Sequence, residues 1–196
     1  RDTDRSRGLG DVYKRQYEYR KMEKKTNIFL SFNTPFGLLM GGTFVVASYM
    51  YFQYNGNIYA NPALDRTLTF LYIIGLFIQI RRYRENAGLQ GYISYGKAVK
   101  TGSYLSVVTA FVYAVYTSFI YSAHPETLKN YLTTVESVFK ELYPNSPLAD
   151  NMTQMLHAFT TPLTMGFSEF ISKTLLGVIY SLIVAAFLKK SRPTEI

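Results

Sequence analysis

Charged residues vanish from the chain over long stretches and return in short bursts, and this alternation is the first thing the sequence offers. Thr34 to Phe52 carries no charge over nineteen positions, which as a helix covers about 28 Å, the thickness of a bilayer's hydrocarbon core. A second apolar run, Leu68 to Ile80, stops at Arg81 and Arg82. It is entered through Asn61, an N-cap residue, and Pro62, suited to the first helical position, so this span is expected over about 62–80. The third is expected over about 98–121, interrupted only by Lys100 near its start, and the fourth over about 167–188, with Glu169 and Lys173 one helical turn apart in its first turns and able to pair. Asp65 and Arg66 then fall at an interface, Arg66 reaching outward.

Between the third and fourth spans the pattern changes from continuous apolarity to helical periodicity. Leu128, Tyr131, Leu132, Val135, Val138, Phe139, Leu142 and Tyr143 recur at steps of three and four, bounded by Pro125 and Pro144. A second such helix starts at Ser146 and Pro147 and carries Leu148, Met152, Met155, Leu156 and Phe159. The pattern predicts an amphipathic hairpin, about 125–143 and 147–160, whose apolar faces cover each other or the mouth of a bundle, or else dock a partner or the outer leaflet. Met152 and Met155 suit an adaptable surface. The predicted fold class is all-α: a polytopic membrane protein with four transmembrane helices and an extracytoplasmic helical hairpin between the last two, forming one domain over 22–190 and followed by a cytoplasmic tail, 191–196.

Charge then sets the orientation. Lys24, Lys25, Arg81, Arg82, Arg84, Lys97, Lys100, Lys189, Lys190 and Arg192 fall on one side of this threading. Arg66, Lys129, Lys140 and Lys173 fall on the other, diluted by acids. An excess of basic residues marks the cytoplasmic side, so both termini are expected there, in a bacterial inner membrane, with the span-end basic residues forming a collar for anionic lipid. An apolar run of nineteen residues after Lys24 and Lys25, with no small-x-small cleavage site behind it, reads as an uncleaved anchor and not a signal peptide. Tyr49, Tyr51, Tyr54, Tyr83, Tyr92, Tyr95 and Tyr121 lie at the span ends, as an interfacial aromatic belt requires.

Residues 1–21 fit none of this. They are polar and unpatterned, they hold seven basic residues against four acids, and Met22 opens a plausible bacterial start. The stretch SRGLGDVYKRQ resembles a tail recurring on unrelated metagenomic proteins as translated library or vector sequence, so a non-native or disordered tail is expected; the rival reading is a polybasic arm on anionic lipid. Without it the formal charge falls from +8 to +5, so the high isoelectric point is no sign of nucleic-acid binding, and none is expected.

Chemistry is sparse. With no cysteine, thiolate zinc sites and cysteine nucleophiles are excluded, and His124 and His157 are the only imidazoles. No cofactor, metal or catalytic residue is expected. GYISYGKA, residues 91–98, matches the phosphate-cradling pattern G-x-x-x-x-G-K-[ST] except at Ala98, which has no hydroxyl for magnesium; a span follows it and no buried strand precedes it, so it reads as a collar with turn glycines. Gly37 and Gly41 in the first span and Gly177, Ser181 and Ala185 in the fourth form small-residue faces expected to meet within one chain, with homodimerisation as the rival.

The stretch RRYRENAGLQGYISYGKA, a third span ending before Pro125-Glu126, and a last span closing in Lys189-Lys190 together resemble the domain-of-unknown-function family 4199 of small bacterial inner-membrane proteins. The resemblance covers Met22 to Lys190 and implies four spans with an outer segment; it brings no activity and no catalytic residues. The chain departs from it at His124, where an acidic residue is expected before Pro-Glu.

Three function classes follow. A non-enzymatic membrane component that binds or organises a partner at the outer hairpin is favoured, because the middles of the spans lack charge. A small-solute transporter or channel would need a polar path, for which Tyr72, Thr109, Tyr113, Tyr116, Thr117 and Tyr180 are the available lining. A lipid-directed enzyme would need His157, Glu169 and Lys173 to converge.

Overall fold

The computed structural model describes residues 3–56, 58, 61–86, 88–144 and 146–190, with side chains from Ile28 onward apart from those of residues 86 and 149. Six helices account for nearly all of it: α1 (Thr3–Asn55), α2 (Pro62–Asn86), α3 (Tyr95–Ala123), α4 (Pro125–Leu142), α5 (Pro147–Phe159) and α6 (Pro162–Leu188). Four segments are long and apolar enough to cross a membrane, Ile28–Asn55, Pro62–Glu85, Tyr95–Ala123 and Pro162–Leu188, as in a multi-pass membrane protein. The backbone is helical from Thr3, which says nothing about the origin of residues 1–21, since their side chains lie outside the described set; Arg192 lies outside it as well.

Local chemistry explains the helix starts. Asn61 Oδ1 accepts from the amides of Ala63 and Leu64, both at 3.1 Å, with Pro62 at the first position. The Ser146 hydroxyl accepts from the Leu148 amide at 3.3 Å, ahead of α5. α6 begins before the apolar run that betrays it in the sequence, because Thr161 and Thr164 form a reciprocal capping box around Pro162. α3 and α4 are separated by His124 alone, whose ring lies 4.8 Å from that of Phe52 and whose Nδ1 lies 3.1 Å from Glu126 Oε1.

The contacts set the direction of every long helix. Along α1 and α3 they rise together, from Thr34–Tyr104 through Gly37–Val108 and Gly41–Val112 to Ser48–Tyr113, so these two run parallel. α2 opposes α1, with Gln79 at Asn33, Gly75 at Met40 and Tyr51 at Thr67. α6 opposes α3, with Gly166 at Ser118, Gly177 at Ser106 and Gly102 at Ser181. The result is an up-down-up-down bundle, and α3 packs against α1, α2, α4 and α6.

Two of these contacts correct the expected pairing of small-residue faces. Gly37 and Gly41 pack on α3, where added Cβ atoms would come within 2.8 Å of Val108 and 2.6 Å of Val112. Gly177 and Ser181 also pack on α3, at Ser106 and Gly102, and Ala185 is fully buried. The α1 and α6 faces therefore do not meet; the slender α3 face of Gly102, Ser106 and Ala110 is what lets α6 approach, and its companion face takes α1.

Around a core that includes Phe44, Leu64, Leu76, Ile80 and Leu105, the surface is apolar as well, and polar side chains are drawn inside. Asn33, Ser48, Gln79, Thr101, Ser106, Thr109, Thr117 and Ser181 are buried, whereas Leu39, Phe70, Phe111 and Phe187 are exposed, the last at 80%. Such a surface is costly in water and natural in hydrocarbon, where polar groups must find partners inside. They do so largely by bonding the preceding helical turn: Thr101 to Lys97, Ser106 to Gly102, Thr117 to Tyr113 and Ser181 to Gly177.

Candidate functional site

The helix pairings bring a charged cluster together at the end of the bundle that carries α4 and α5. Lys173 Nζ on α6 lies 3.6 Å from Asp65 Oδ1 on α2 and 3.6 Å from Glu169 Oε2 one turn earlier on its own helix. The Tyr113 ring of α3 lies below it, with the ammonium 5.7 Å from the ring centroid. The pairing of Glu169 with Lys173 follows from helical spacing. The participation of Asp65 depends on α2 and α6 running side by side. The Lys173 side chain is only 12% exposed, while that of Asp65 is 66% exposed. Glu169 Oε2 is buried there without a hydrogen bond, and the hydroxyls of Tyr116 on α3 and Thr174 on α6 are likewise buried and unbonded.

His157 does not join this cluster. It sits on α5 with Nε2 3.8 Å from Glu136 Oε2 of α4, where Lys140 also reaches Glu136 at 2.7 Å. The hydrogen bond from Lys140 holds the Glu136 carboxyl below its ordinary range, and the same bond raises Lys140. The triad of imidazole, carboxylate and amine that a lipid-directed enzyme would need is thus divided between two groups, and Asp65, not His157, joins Glu169 and Lys173. Among the described residues no three His, Asp or Glu side chains gather to hold a metal ion.

Below the cluster, four of the side chains expected to line a polar path, Tyr72, Thr109, Tyr113 and Thr117, have their hydroxyls hydrogen-bonded inside the bundle, while that of Tyr116 is buried without a partner. Tyr72 donates toward the Lys173 carbonyl at 3.0 Å and the Ser106 carbonyl at 3.3 Å, Thr109 donates to the Gly37 carbonyl at 3.3 Å, and Ser48 donates to the Tyr113 hydroxyl at 3.0 Å. The Tyr180 ring lies 6.0 Å from that of Tyr72, and Phe44 stands edge-on to both Tyr72 and Tyr113. These side chains tie helix to helix. Tyr121, placed by the sequence in an interfacial belt, is buried with Phe52 and Ile120 in a small apolar cluster; Tyr49 and Tyr54 are exposed.

Removing the Lys173 ammonium would leave the half-buried Glu169 beside Asp65 with no cation between them. Lys173→Met is expected to cost about 1–2 kcal/mol, less than the ~3–5 kcal/mol for breaking a wholly buried pair because Asp65 is exposed. Asp65→Asn should cost less, since Glu169 remains. Thermal unfolding of detergent-purified variants checks the order; Asp65→Asn proving the worse would refute the central position of Lys173.

At the other end the basic residues converge. Arg84 caps α6 through Nη1 to the Leu188 carbonyl at 3.1 Å, and Arg81 pairs with Glu85 at 3.0 Å. Arg82 faces the Phe36 ring, Lys100 the Phe29 ring and Lys190 the Tyr92 ring, at 5.9, 5.5 and 5.4 Å. Lys97 and Lys189 are exposed beside them. The phosphate-loop look-alike lies here, and the amides that open it are engaged by the fold: Gly91 donates to the Arg84 carbonyl, Tyr92 to the Leu89 carbonyl, and Ile93 exchanges both backbone bonds with Lys190 as a two-residue bridge. Gly88 and Gly91 take positive φ to make that turn. The segment is a clasp joining the α2–α3 connection to the end of α6.

Sequence reasoning missed one further polar site. Gln79 and Asn33 are buried against each other, Gln79 Nε2 donating to Asn33 Oδ1 at 2.9 Å and to the Phe32 carbonyl at 3.1 Å. Asn33 Nδ2 in turn donates to the Phe29 carbonyl at 2.8 Å, and Pro35 stands two residues further along α1, where its missing N–H withdraws the helical donor from the Ser31 carbonyl. Pro35 inside an apolar run is the signal that could have pointed to them.

α4 and α5 pack on each other and α4 touches α3, yet among their described residues only Thr127 and Thr153 are buried. Leu142, Leu148, Met155 and Phe159 remain exposed, Phe159 at 68%. A family model described as Protein of unknown function (DUF4199) matches residues 35–190. No curated protein and no solved structure matches the chain.

Proposed function

From the premise that the chain belongs to the DUF4199 family, we propose that it is a non-enzymatic, multi-pass component of a bacterial inner membrane that binds a protein partner through an extracytoplasmic α4–α5 hairpin. The observation carrying this reading is where unspent binding capacity lies. Inside the bundle most of the buried hydroxyls are bonded, Tyr72 and Thr109 to neighbouring helices and Thr101, Ser106, Thr117 and Ser181 to their own, whereas Leu142, Leu148, Met155 and Phe159 are uncovered. Exposed apolar side chains on a polar-backed helix pair are a common docking surface. The Arg81 to Lys190 collar supports the orientation, with both termini on the cytoplasmic side and the hairpin outside.

Photo-crosslinking from a benzoylphenylalanine placed at Met155 in native membranes tests the partner reading. A discrete protein adduct, absent when the probe sits at the lipid-facing Phe77, is expected. Adducts to lipid alone at Met155 would overturn it.

A transport reading retains one observation in its favour, the half-buried Lys173 cluster at the hairpin end of the bundle, in which Glu169 Oε2 has no hydrogen bond. It predicts that Lys173→Met abolishes a solute flux in proteoliposomes; the docking reading predicts that partner capture survives that substitution.

A further inference from the structure

The outward side of the α3–α6 seam, near the α5 end, holds a groove of about 420 Å³. Its rims are Phe111 and Val115 of α3 and Leu163 and Phe167 of α6, all exposed, and its floor is Ala114, Ser118 and Gly166. The groove lies within two of the segments able to cross a membrane, so it opens onto the same face as Phe119, Leu175 and Ile179, where hydrocarbon is the solvent.

The floor decides what can lie there. Transmembrane helices associate through small residues that admit a second backbone, or through hydrogen bonds across the interface, because lipid tails are as apolar as leucine. Both means are already used up within the chain. Gly166 sits so close to the Ser118 hydroxyl and the Ala114 carbonyl that no Cβ would fit, so the close approach offered by these small residues belongs to α3 and α6 themselves. The Ser118 oxygen is turned into that seam, and no other floor or rim side chain named here is polar. A second helix would find neither a backbone to approach nor a group to bond, whereas a flexible hydrocarbon chain needs only apolar walls and room to lie between the phenylalanine rims.

We infer that this groove is a binding site for one acyl chain of a membrane phospholipid, held in preference to the surrounding annular lipid. The inference rests on the membrane-spanning reading and not on partner docking at α4–α5, so the two can fail separately.

The test uses the full chain in vesicles of phosphatidylethanolamine and phosphatidylglycerol containing a trace of phosphatidylethanolamine with a diazirine on one acyl chain. After irradiation, adducts mapped by mass spectrometry should concentrate on the segments 111–118 and 163–170, above the level at the equally lipid-facing Phe70, Phe77 and Phe187. Val115→Trp, which fills the mouth of the groove, should bring labelling there down to that level, while Val107→Trp, exposed on the same helix, should leave it unchanged. Even labelling of all apolar faces would overturn the inference. So would displacement of the probe by free fatty acid but not by unlabelled phospholipid, or a cross-link from the groove to a second copy of the chain. The wild-type map decides the matter even if the tryptophan variants fail to fold.

Discussion

Gly177→Leu is expected to lower the melting temperature of the detergent-purified protein by on the order of 10 °C, the largest effect of any single substitution considered. A side chain at position 177 must enter space held by the Ser106 Oγ and the Tyr72 hydroxyl, and its first carbon alone would stand 2.6 Å from Ser106 Cβ. Overpacking of this kind costs about 1–3 kcal/mol. Here the intruding group also displaces Tyr72 from the carbonyls of Ser106 and Lys173, adding about 1 kcal/mol for each bond left unmade in a site with no water to replace it. At roughly 2–4 °C per kcal/mol for a chain of this size, the sum gives the stated shift. Gly42→Leu is the matched control, because nothing lies within 4 Å of a Cβ built there and the side chain would point into open space. Equal melting temperatures for the two variants would mean that α6 does not approach α3 along this face.

Gln79→Leu should be the second most damaging change, at about 2–3 kcal/mol. It deletes the donor to Asn33 Oδ1 and to the Phe32 carbonyl and leaves an amide oxygen buried without a partner. The informative experiment is the double-mutant cycle. Asn33→Leu alone should also destabilise, by removing one of the two acceptors of Gln79 Nε2 and leaving it the Phe32 carbonyl only, but the double variant Asn33→Leu/Gln79→Leu removes both polar side chains and should be closer to wild type than the sum of the singles, with a coupling energy of about 1–2 kcal/mol. Simple additivity, read from denaturation in a mixed detergent series, would show that the two amides do not depend on each other.

Much of this fold was legible in the chain because its signals are local or one-dimensional. A charge-free run of bilayer length must become a helix if it enters hydrocarbon, and Asn61-Pro62, Ser146-Pro147 and the Pro125 to Pro144 interval mark helix boundaries through capping and the geometry of proline. The family membership of the region was legible as well, in RRYRENAGLQGYISYGKA and the closing Lys189-Lys190. The dismissal of the phosphate-loop pattern rested on context, and the structure adds what its amides do instead.

What the sequence could not determine is which faces of these helices look at one another. Gly37-x-x-x-Gly41 and Gly177-x-x-x-Ser181 announce close packing without naming a partner, and both proved to pack on α3, because small-residue faces are interchangeable until the bundle order is known. Asp65 and Lys173 are far apart along the chain, and His157 was the more plausible companion for Glu169 by residue type; only the parallel placement of α2 and α6 joined Asp65 to the lysine and left the histidine to Glu136. The chain alone dictated how many apolar helices there are and where each begins, since those properties follow from solvent transfer and local backbone chemistry. The tertiary structure alone decided that Gln79 meets Asn33 and that Lys173 sits between two carboxylates, since such meetings depend on the register between helices, which hydrophobicity leaves open.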